Sequence, residues 1–293
     1  MPVDQQHIKS VVEKLNRQLP KLASKPQPKN VHQFRTHTRR LEAVLEEVAP
    51  EFGRNEKKLL KQLARLRRKA GRVRDLDVQV AALRSLKIPH DAGRKTQLLR
   101  TLVETRSKRE QKLAKALDSA TVRELKRRLK RAAADLRIPH NVEPLVLATR
   151  MFARVNHTQS PLSEKILHGY RIAGKRVRYV AELAGNVPEA QRMLETLKVM
   201  QDALGSWRDW LVLTKTAEKT FSDVPDSALV SALRNVTRAK LRQAMQVVTN
   251  TRTLLLSRPV AAVRSSGSAE AVGMATHRRP AASSAELPRA ASA

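Results

Sequence analysis

Two stretches of this chain carry the same basic side chains at the same spacing. Residues 31–41 read V-H-Q-F-R-T-H-T-R-R-L, and residues 167–177 read L-H-G-Y-R-I-A-G-K-R-V. His32, Arg35, Arg39 and Arg40 return as His168, Arg171, Lys175 and Arg176, each 136 positions later. The chemistry open to such a set is the holding of anions. Arginine offers paired N–H donors to phosphate oxygens and stays charged in a crowded cationic site. Lysine adds a point charge, and histidine adds a hydrogen bond or a further charge. An H-x-x-R-x-x-x-[RK]-R pattern returning at one offset is hard to reach by chance even in an arginine-rich chain. It points to two related halves that present the same cationic group.

A second pair of landmarks supports the repeat. Gly71-Arg72-Val73-Arg74-Asp75 is answered by Gly205-Ser206-Trp207-Arg208-Asp209, here at an offset of 134. The missing two residues predict a shortened interhelical loop in the second half. Helical phase then shows what the motif does. At about 100° per residue, His32, Arg35 and Arg39 form one stripe, with Arg40 beside it. Val31, Phe34, Leu41, Leu45 and Val48 collect on the other side, and His37 joins them as a packing or boundary residue. In the second copy His168, Arg171 and Lys175 form the stripe, while Leu167, Tyr170, Val177 and Ala181 face away. Each motif helix thus has an apolar side for a core and a narrow cationic side. Solvation alone would explain any single arginine. It requires neither a histidine in the stripe nor a fixed register between two copies.

Charge agrees with an anionic partner. The chain holds 58 Lys+Arg against 27 Asp+Glu, a formal net charge of +31. The last 37 residues contribute five Arg and two Glu, so nearly all of the excess lies on residues 1–256. Self-repulsion of that size disfavours a compact state, which makes a polyanionic partner the natural counterweight. Nucleic acid, inorganic polyphosphate and an anionic membrane are the candidates. Two Trp, two Tyr and four Phe offer few platforms for base stacking. There is no zinc-finger spacing, no RNP-like segment and no leucine zipper after a basic region. Duplex binding through phosphates alone stays open. The absence of cysteine removes disulfides and thiolate chemistry and is compatible with a cytoplasmic protein. Residues 1–14 contain no signal-peptide core, and no apolar run approaches the ~18–20 residues of a membrane span.

The elements that must position these residues read as helices throughout, with no period-two alternation to mark a strand. Expected helices run over about Asp4–Leu19, Asn30 to just before Pro50, Asn55–Ala70, Val73–Leu86, 93–117 and 121–136. In the second half they run over Glu143–Asn156, Pro161–Ala184, Pro188–Leu204, Trp207–Lys219 and Asp226–Leu255. Gly71 punctuates the first half, and Ile138-Pro139-His140-Asn141 forms the seam. The expected fold is all-α: two pseudo-symmetric antiparallel helical bundles, about residues 1–138 and 142–256, with a basic groove or pore between them. Residues 257–293, made of Ala, Ser, Arg, Pro and Gly without periodicity, read as a disordered tail.

Catalytic signatures are missing. No G-x-x-x-x-G-K-[ST] phosphate loop occurs, nor an E-x-E-x-K set, and the adjacent Glu46-Glu47 pair does not share one helical face. Hydrolysis of a phosphoanhydride usually wants a divalent metal on convergent carboxylates. The expectation is a binding protein with no cofactor and no metal site, rather than an enzyme.

The segments V31-H32-Q-F-R35-x-x-x-R39-R40-L41, G71-R-V-R74-D75-L-D-V78, L167-H168-G-Y-R171-I-A-G-K175-R176-V-R178-Y179 and Q201-D202-A-L204-G205-x-x-R208-D209 resemble the CHAD family, the conserved histidine α-helical domains. The resemblance covers roughly residues 5–255. It implies two four-helix bundles related by pseudo-twofold symmetry around a basic cavity that binds inorganic polyphosphate. It further implies a link to polyphosphate granules or to polyphosphate-metabolising enzymes. The phosphate-facing positions of the family fall on His32, Arg35, Arg39, Arg40, His168, Arg171, Lys175 and Arg176. Arg74 and Arg208 match its second landmark. Arg178, together with Arg106, Arg109, Arg238 and Arg242 on the longer helices, fits its habit of further basic side chains. Arg208 departs from the family, which often has a neutral residue before the aspartate; it either adds charge or pairs with Asp209. Asp75 and Asp209 read as N-caps or as groups that orient arginines. The alternative function is a basic helical nucleic-acid-binding protein, nucleic acid being otherwise only a non-specific partner.

Overall fold

Apolar residues three and four apart recur along nearly every segment, and burying that stripe is what makes each segment a helix. The structure, a computed structural model, describes residues 3, 5–49, 53–88, 91–139, 141–155, 162–223 and 227–256. All regular structure among the described residues is helical. The first half holds α1 (Gln5–Ser24), α2 (Pro28–Ala43), α3 (Arg54–Ser85), α4 (Ala92–Ala114) and α5 (Ser119–Asp135). The second holds α6 (Pro144–Val155), α7 (Glu164–Ala181), α8 (Pro188–Thr220) and α9 (Ala228–Leu256). A π-helical turn, Val44–Val48, ends α2, and a 3₁₀ turn, Glu182–Ala184, ends α7. The expected tail lies outside the described residues, as does Pro161.

Several boundaries differ from expectation for physical reasons. The helix expected to stop before Pro20 runs on to Ser24 with Pro20 inside it. An interior proline costs about 3 kcal/mol. Leu19 and Leu22, on either side of it, are both fully buried, and burial of each leucine is worth about 1.5–3 kcal/mol. Asn30 is not the cap of α2. Pro28 takes the first turn, where its missing N–H is harmless, and the Asn30 side-chain amide donates to the Lys25 carbonyl at 2.8 Å. Ser163 caps α7, its hydroxyl accepting from the Ile166 N–H at 3.4 Å.

The largest difference is at the two glycine landmarks. Neither Gly71 nor Gly205 interrupts its helix: α3 runs for 32 residues and α8 for 33. Leu59, Leu63, Leu66, Ala70, Val73, Leu76, Val80 and Leu83 form one buried stripe through Gly71. Met193, Leu197, Met200, Leu204, Trp207, Leu211, Thr214 and Ala217 do the same through Gly205. An unbroken stripe outweighs the ~1 kcal/mol that a helical glycine costs relative to alanine. Asp75 and Asp209 are therefore mid-helix residues and not N-caps.

The long helices run through more than one core. One apolar cluster gathers α1, α2, the N-terminal part of α3 and α5, around Leu15, Phe34, Leu63 and Leu125. Another gathers α6, α7, the N-terminal part of α8 and the C-terminal part of α9, around Phe152, Tyr170, Leu197 and Trp207. A third is shared: Leu76, Val80 and Leu83 of α3 and Leu98 of α4 pack with Leu213 of α8, with Phe221 just beyond its end, and with Leu229 of α9. A fourth joins Ile8, Val44 and Val48 to Leu183. Residues 1–258 consequently form one compact unit, with core on both sides of the expected seam.

The deletion between the repeats falls in a loop. Five residues separate Val48 from Arg54, and three separate Ala184 from Pro188. Gly71 and Gly205 then sit at the same depth in α3 and α8.

Candidate anion site

Apolar phase turns the motif helices so that their cationic stripes meet. Val31, Phe34 and Leu41 of α2, and Leu167, Tyr170 and Val177 of α7, are all buried, and α2 packs directly on α7. α3 packs on α8 beside them, bringing in Arg74, Asp75, Arg208 and Asp209. Arg35, Arg39 and Arg171 all act on one another or on Lys175 across the seam, and Asp75 and Asp209 are within electrostatic reach of each other. The side chains that the sequence separates by 136 positions thus belong to one cluster.

Most of the cluster is uncompensated. Among the described residues Arg39, Arg74, Arg171, Lys175 and Arg208 form no ion pair, and the buried Nε–H of Arg171 has no acceptor. Arg35 has only a long contact, 4.0 Å from Nη1 to Asp75 Oδ1. Its guanidinium lies over Gly71, where a Cβ would collide with Nη1. Gly71 is thus a seat for Arg35. Nothing lies near the corresponding point on Gly205, so the two copies differ here.

Titration follows from crowding. Burial, reinforced by Arg171, Arg39 and Arg35 and opposed by Asp209, brings Lys175 down to about 7. Burial brings Arg35 down to about 10 despite Asp75. Burial and then neighbouring guanidinium groups lower both histidines: Arg74 and Arg35 at His32, Arg171 and Arg208 at His168. His37, on the apolar side, falls to about 4, chiefly by burial. Asp209 moves the other way, raised by burial against the pull of Arg171. Burial is the leading cause throughout, and at Lys175, Arg35, His32 and His168 neighbouring guanidinium groups push in the same direction, so these four sit in positive potential.

Two motif positions behave differently. Arg40 is bidentate on Glu182, with Nε–Oε2 at 2.7 Å and Nη2–Oε1 at 3.1 Å. Arg176 donates to Glu46 at 2.9 Å and to Glu47. Glu46 follows Arg40 by the same interval as Glu182 follows Arg176, so each half extends an arginine to the other half's acid. The π-helical turn brings both Glu46 and Glu47 to one guanidinium. Burial lowers Arg40, but the hydrogen-bonded Glu182 outweighs it and the net shift is upward. Arg178 sits 3.4 Å from Glu182, and Arg40 and Arg178 both lie over the Tyr179 ring, at 5.8 and 5.5 Å.

A cleft of about 560 Å³ opens between α2, α3 and α7. Arg39, Arg171, Lys175 and Arg176 line it, joined by Lys61 and Arg67, which the repeat does not flag. Their counterparts 134 residues on are Glu195 and Gln201, so the register that exposes the motif hides these two. Glu42 and Glu46 also line the cleft, but Arg67 holds Glu42 at 3.0 Å and Arg176 holds Glu46. A second hollow between α3 and α8, lined by Asp202, Asp209 and Trp210, contains no lysine or arginine.

The outlying basic residues stand apart. Arg106 is held by Asp77 at 2.6 Å, by Glu110 and by the Pro26 carbonyl at 3.2 Å. Arg109, half-buried on α4, and Arg238 and Arg242, exposed on α9, line neither hollow. Arg208 does not pair with Asp209; its charge is felt at His168 and Arg171. No three His, Cys, Asp or Glu gather to hold a metal among the described residues. Nor is any described helix long and apolar enough to cross a membrane.

Comparison with known proteins follows the same lines. The fold is similar to the crystal structure of the CHAD domain from the plant Ricinus communis, with a TM-score of 0.62 at 19% identity, over 85% of this chain and 89% of that one. It is also similar to PptA from Streptomyces chartreusis, with a TM-score of 0.56 at 15% identity, over 88% of this chain and 100% of that one. No curated protein sequence gives a significant match. The CHAD domain model matches residues 6–218, most of the chain, with both His–Arg motifs and both glycine landmarks inside it, and the protein belongs to the CHAD family.

Proposed function

We propose that this protein binds inorganic polyphosphate and holds it without cleaving it. The observation that carries the reading is the set Arg35, Arg39, Arg171 and Lys175, drawn from both repeats and crowded together, in which the only ion pair among the described residues is the 4.0 Å contact of Arg35 with Asp75. Like charges held this close cost folding free energy, and an anion that occupies the cluster offsets that cost. Polyphosphate has about one charge per phosphate and no bases to read, which suits a site rich in guanidinium groups and poor in aromatic platforms. Of the aromatics nearest the second motif, Tyr170, Tyr179 and Trp207 are buried, and Trp210, half-buried, lines the second hollow, which holds no lysine or arginine. Arg74, Arg208, His32 and His168 extend the binding surface beyond the cleft, while Arg40 and Arg176 brace the two halves that form it. Holding, and not hydrolysis, fits a cluster whose two nearby carboxylates, Asp75 and Asp209, lie among arginines. A protein that holds the polymer would be drawn to polyphosphate granules and to the enzymes that build or degrade it.

The test is a binding isotherm for long-chain polyphosphate at two salt concentrations, with duplex DNA as competitor. Tight binding that weakens with salt, and that DNA does not displace at ~0.15 M, is expected. Arg35→Ala and Arg171→Ala should each cost on the order of 1.5–3 kcal/mol where the contact is well desolvated. Their effects should depart from additivity, because both residues hold the same polymer. Equal loss from the paired control Arg127→Ala with Lys130→Ala on α5 would mean that diffuse charge governs affinity. Retention of DNA but not polyphosphate would favour the nucleic-acid reading.

A further inference from the structure

The reactive group in the cleft is an amine. Lys175 lines it together with Arg39 and Arg171 and forms no ion pair among the described residues, Asp209 acting on it only from a distance. Both cleft carboxylates are engaged elsewhere, Glu42 by Arg67 and Glu46 by Arg176. Lysines on the outer surface differ: Lys58 and Lys165 are exposed to water and line neither hollow. An ammonium crowded by guanidinium groups loses its proton more readily, and the neutral amine is a nucleophile.

We propose that Lys175 is a covalent modification site for small acyl phosphates, whose phosphate docks on Arg39 and Arg171 while the Lys175 amine takes the acyl group. The inference rests on the same anion site as the binding function, and it adds a second class of ligand and a means of regulating the site. In the step, the Nζ lone pair attacks the acyl carbonyl carbon and a C–N bond forms. The bond from that carbon to the phosphate oxygen breaks, and its electron pair leaves with inorganic phosphate. The proton released from nitrogen passes to the departing phosphate, leaving a neutral amide and hydrogen phosphate. Nothing is oxidised or reduced. With Lys175 near 7 the amine is largely neutral by about pH 8. The product loses one of the cluster's charges and narrows the cleft, so acylation would weaken the hold on polyphosphate.

The experiment incubates the full chain with acetyl phosphate at about pH 8 and measures site occupancy by peptide mass spectrometry, alongside acetic anhydride, which has no phosphate to dock. Lys175 should be acetylated at least about tenfold faster than Lys58 or Lys165 by acetyl phosphate, with saturation as the concentration rises. That preference should shrink markedly with acetic anhydride, and inorganic phosphate should protect Lys175 selectively. Arg171→Gln should abolish the preference. Should that variant fail to fold, phosphate protection of the native chain carries the same test. Equal rates at Lys175 and Lys58, or a preference that acetic anhydride reproduces, overturns the proposal. If that happens while polyphosphate still binds, the modification fails alone. Selective, saturable acetylation without polyphosphate binding upholds the modification and overturns the polymer as the ligand.

Discussion

Arg35 and Lys175 show what crowding does to single residues. Arg35 reaches its position only because Gly71 has no side chain, and this yields a contrast between the two glycines. Gly71→Ala should displace the Arg35 guanidinium and weaken polyphosphate binding several-fold, with little loss of stability because a flexible side-chain tip can move. Gly205→Ala meets open space and should raise stability by about 0.5–1 kcal/mol with affinity unchanged. Thermal melts and isotherms on both variants check this; equal affinity loss in the two would remove the special role of Gly71. Lys175 yields a pH dependence. The groups acting on it are Arg171 on its own helix, Arg35 and Arg39 from α2, and Asp209 from α8. The amine is neutral in the free protein above about 7, and a bound polyanion would hold it protonated. Binding therefore takes up a proton there, and affinity should fall as pH rises from about 7 to 9, by up to about tenfold per unit. Below 7 Lys175 is charged in both states, and the lowered His32 and His168 take up protons instead, so affinity should keep rising as pH falls. Isotherms across this range check the slope, and Lys175→Arg should flatten its upper part.

At the scale of elements, the ends of α2 and α7 are tied by two crossed ion pairs of unequal burial. Arg40 and Glu182 are 25% and 14% exposed, against 46% for Arg176 and 44% for Glu46. Arg40→Gln should therefore destabilise the fold by about 2 kcal/mol, since a largely buried charged hydrogen-bond pair is lost. Arg176→Gln should cost under about 1 kcal/mol, as exposed pairs do. Denaturant titration of both variants measures the difference. If the two cost the same, burial does not govern this clasp. The long helices have a related role. A rod of 32 or 33 residues spans about 48 Å, long enough to enter a core built by its own half and one shared with the other. That shared packing keeps α2 against α7 and holds the stripes at a fixed spacing.

For the whole molecule, charge is the dominant quantity. A net +31 makes the free protein repel itself, so added salt should raise its melting temperature while weakening polyphosphate binding. Bound polymer should act more strongly than salt: at a hundred times Kd it adds about 2.7 kcal/mol to stability. Melting curves in increasing sodium chloride, with and without polyphosphate, separate the two effects. A melting temperature that fell with salt would contradict the self-repulsion argument. Removal of residues 257–293, with their modest charge, should leave the melt unchanged and affinity within about tenfold. A truncated chain that unfolds would move the domain boundary.

Which basic residues share a helix face was legible in the sequence, because residue types recur in register and helical phase follows from the 3.6-residue period alone. The cationic stripes, the apolar faces of α2 and α7, the burial of His37 and the position of the loop deletion all follow from that. The continuity of α3 and α8 was present in the apolar stripe but masked by two glycines, whose local preference yields to burial on both sides. The partners of Arg40 and Arg176 left a trace in Glu46 and Glu182, repeated at one interval after each arginine. Other features exist only in three dimensions. Lys61 and Arg67 enter the cleft from one half with no counterpart in the other. Arg106 leaves the pool of free cations because Asp77 and Glu110 capture it. Lys175 loses its proton near neutrality because it is buried and, beyond that, because of three guanidinium groups, two of them more than a hundred residues away. Spacing along one helix fixes which side chains share a face, but burial and potential are sums over neighbours that only folding brings close.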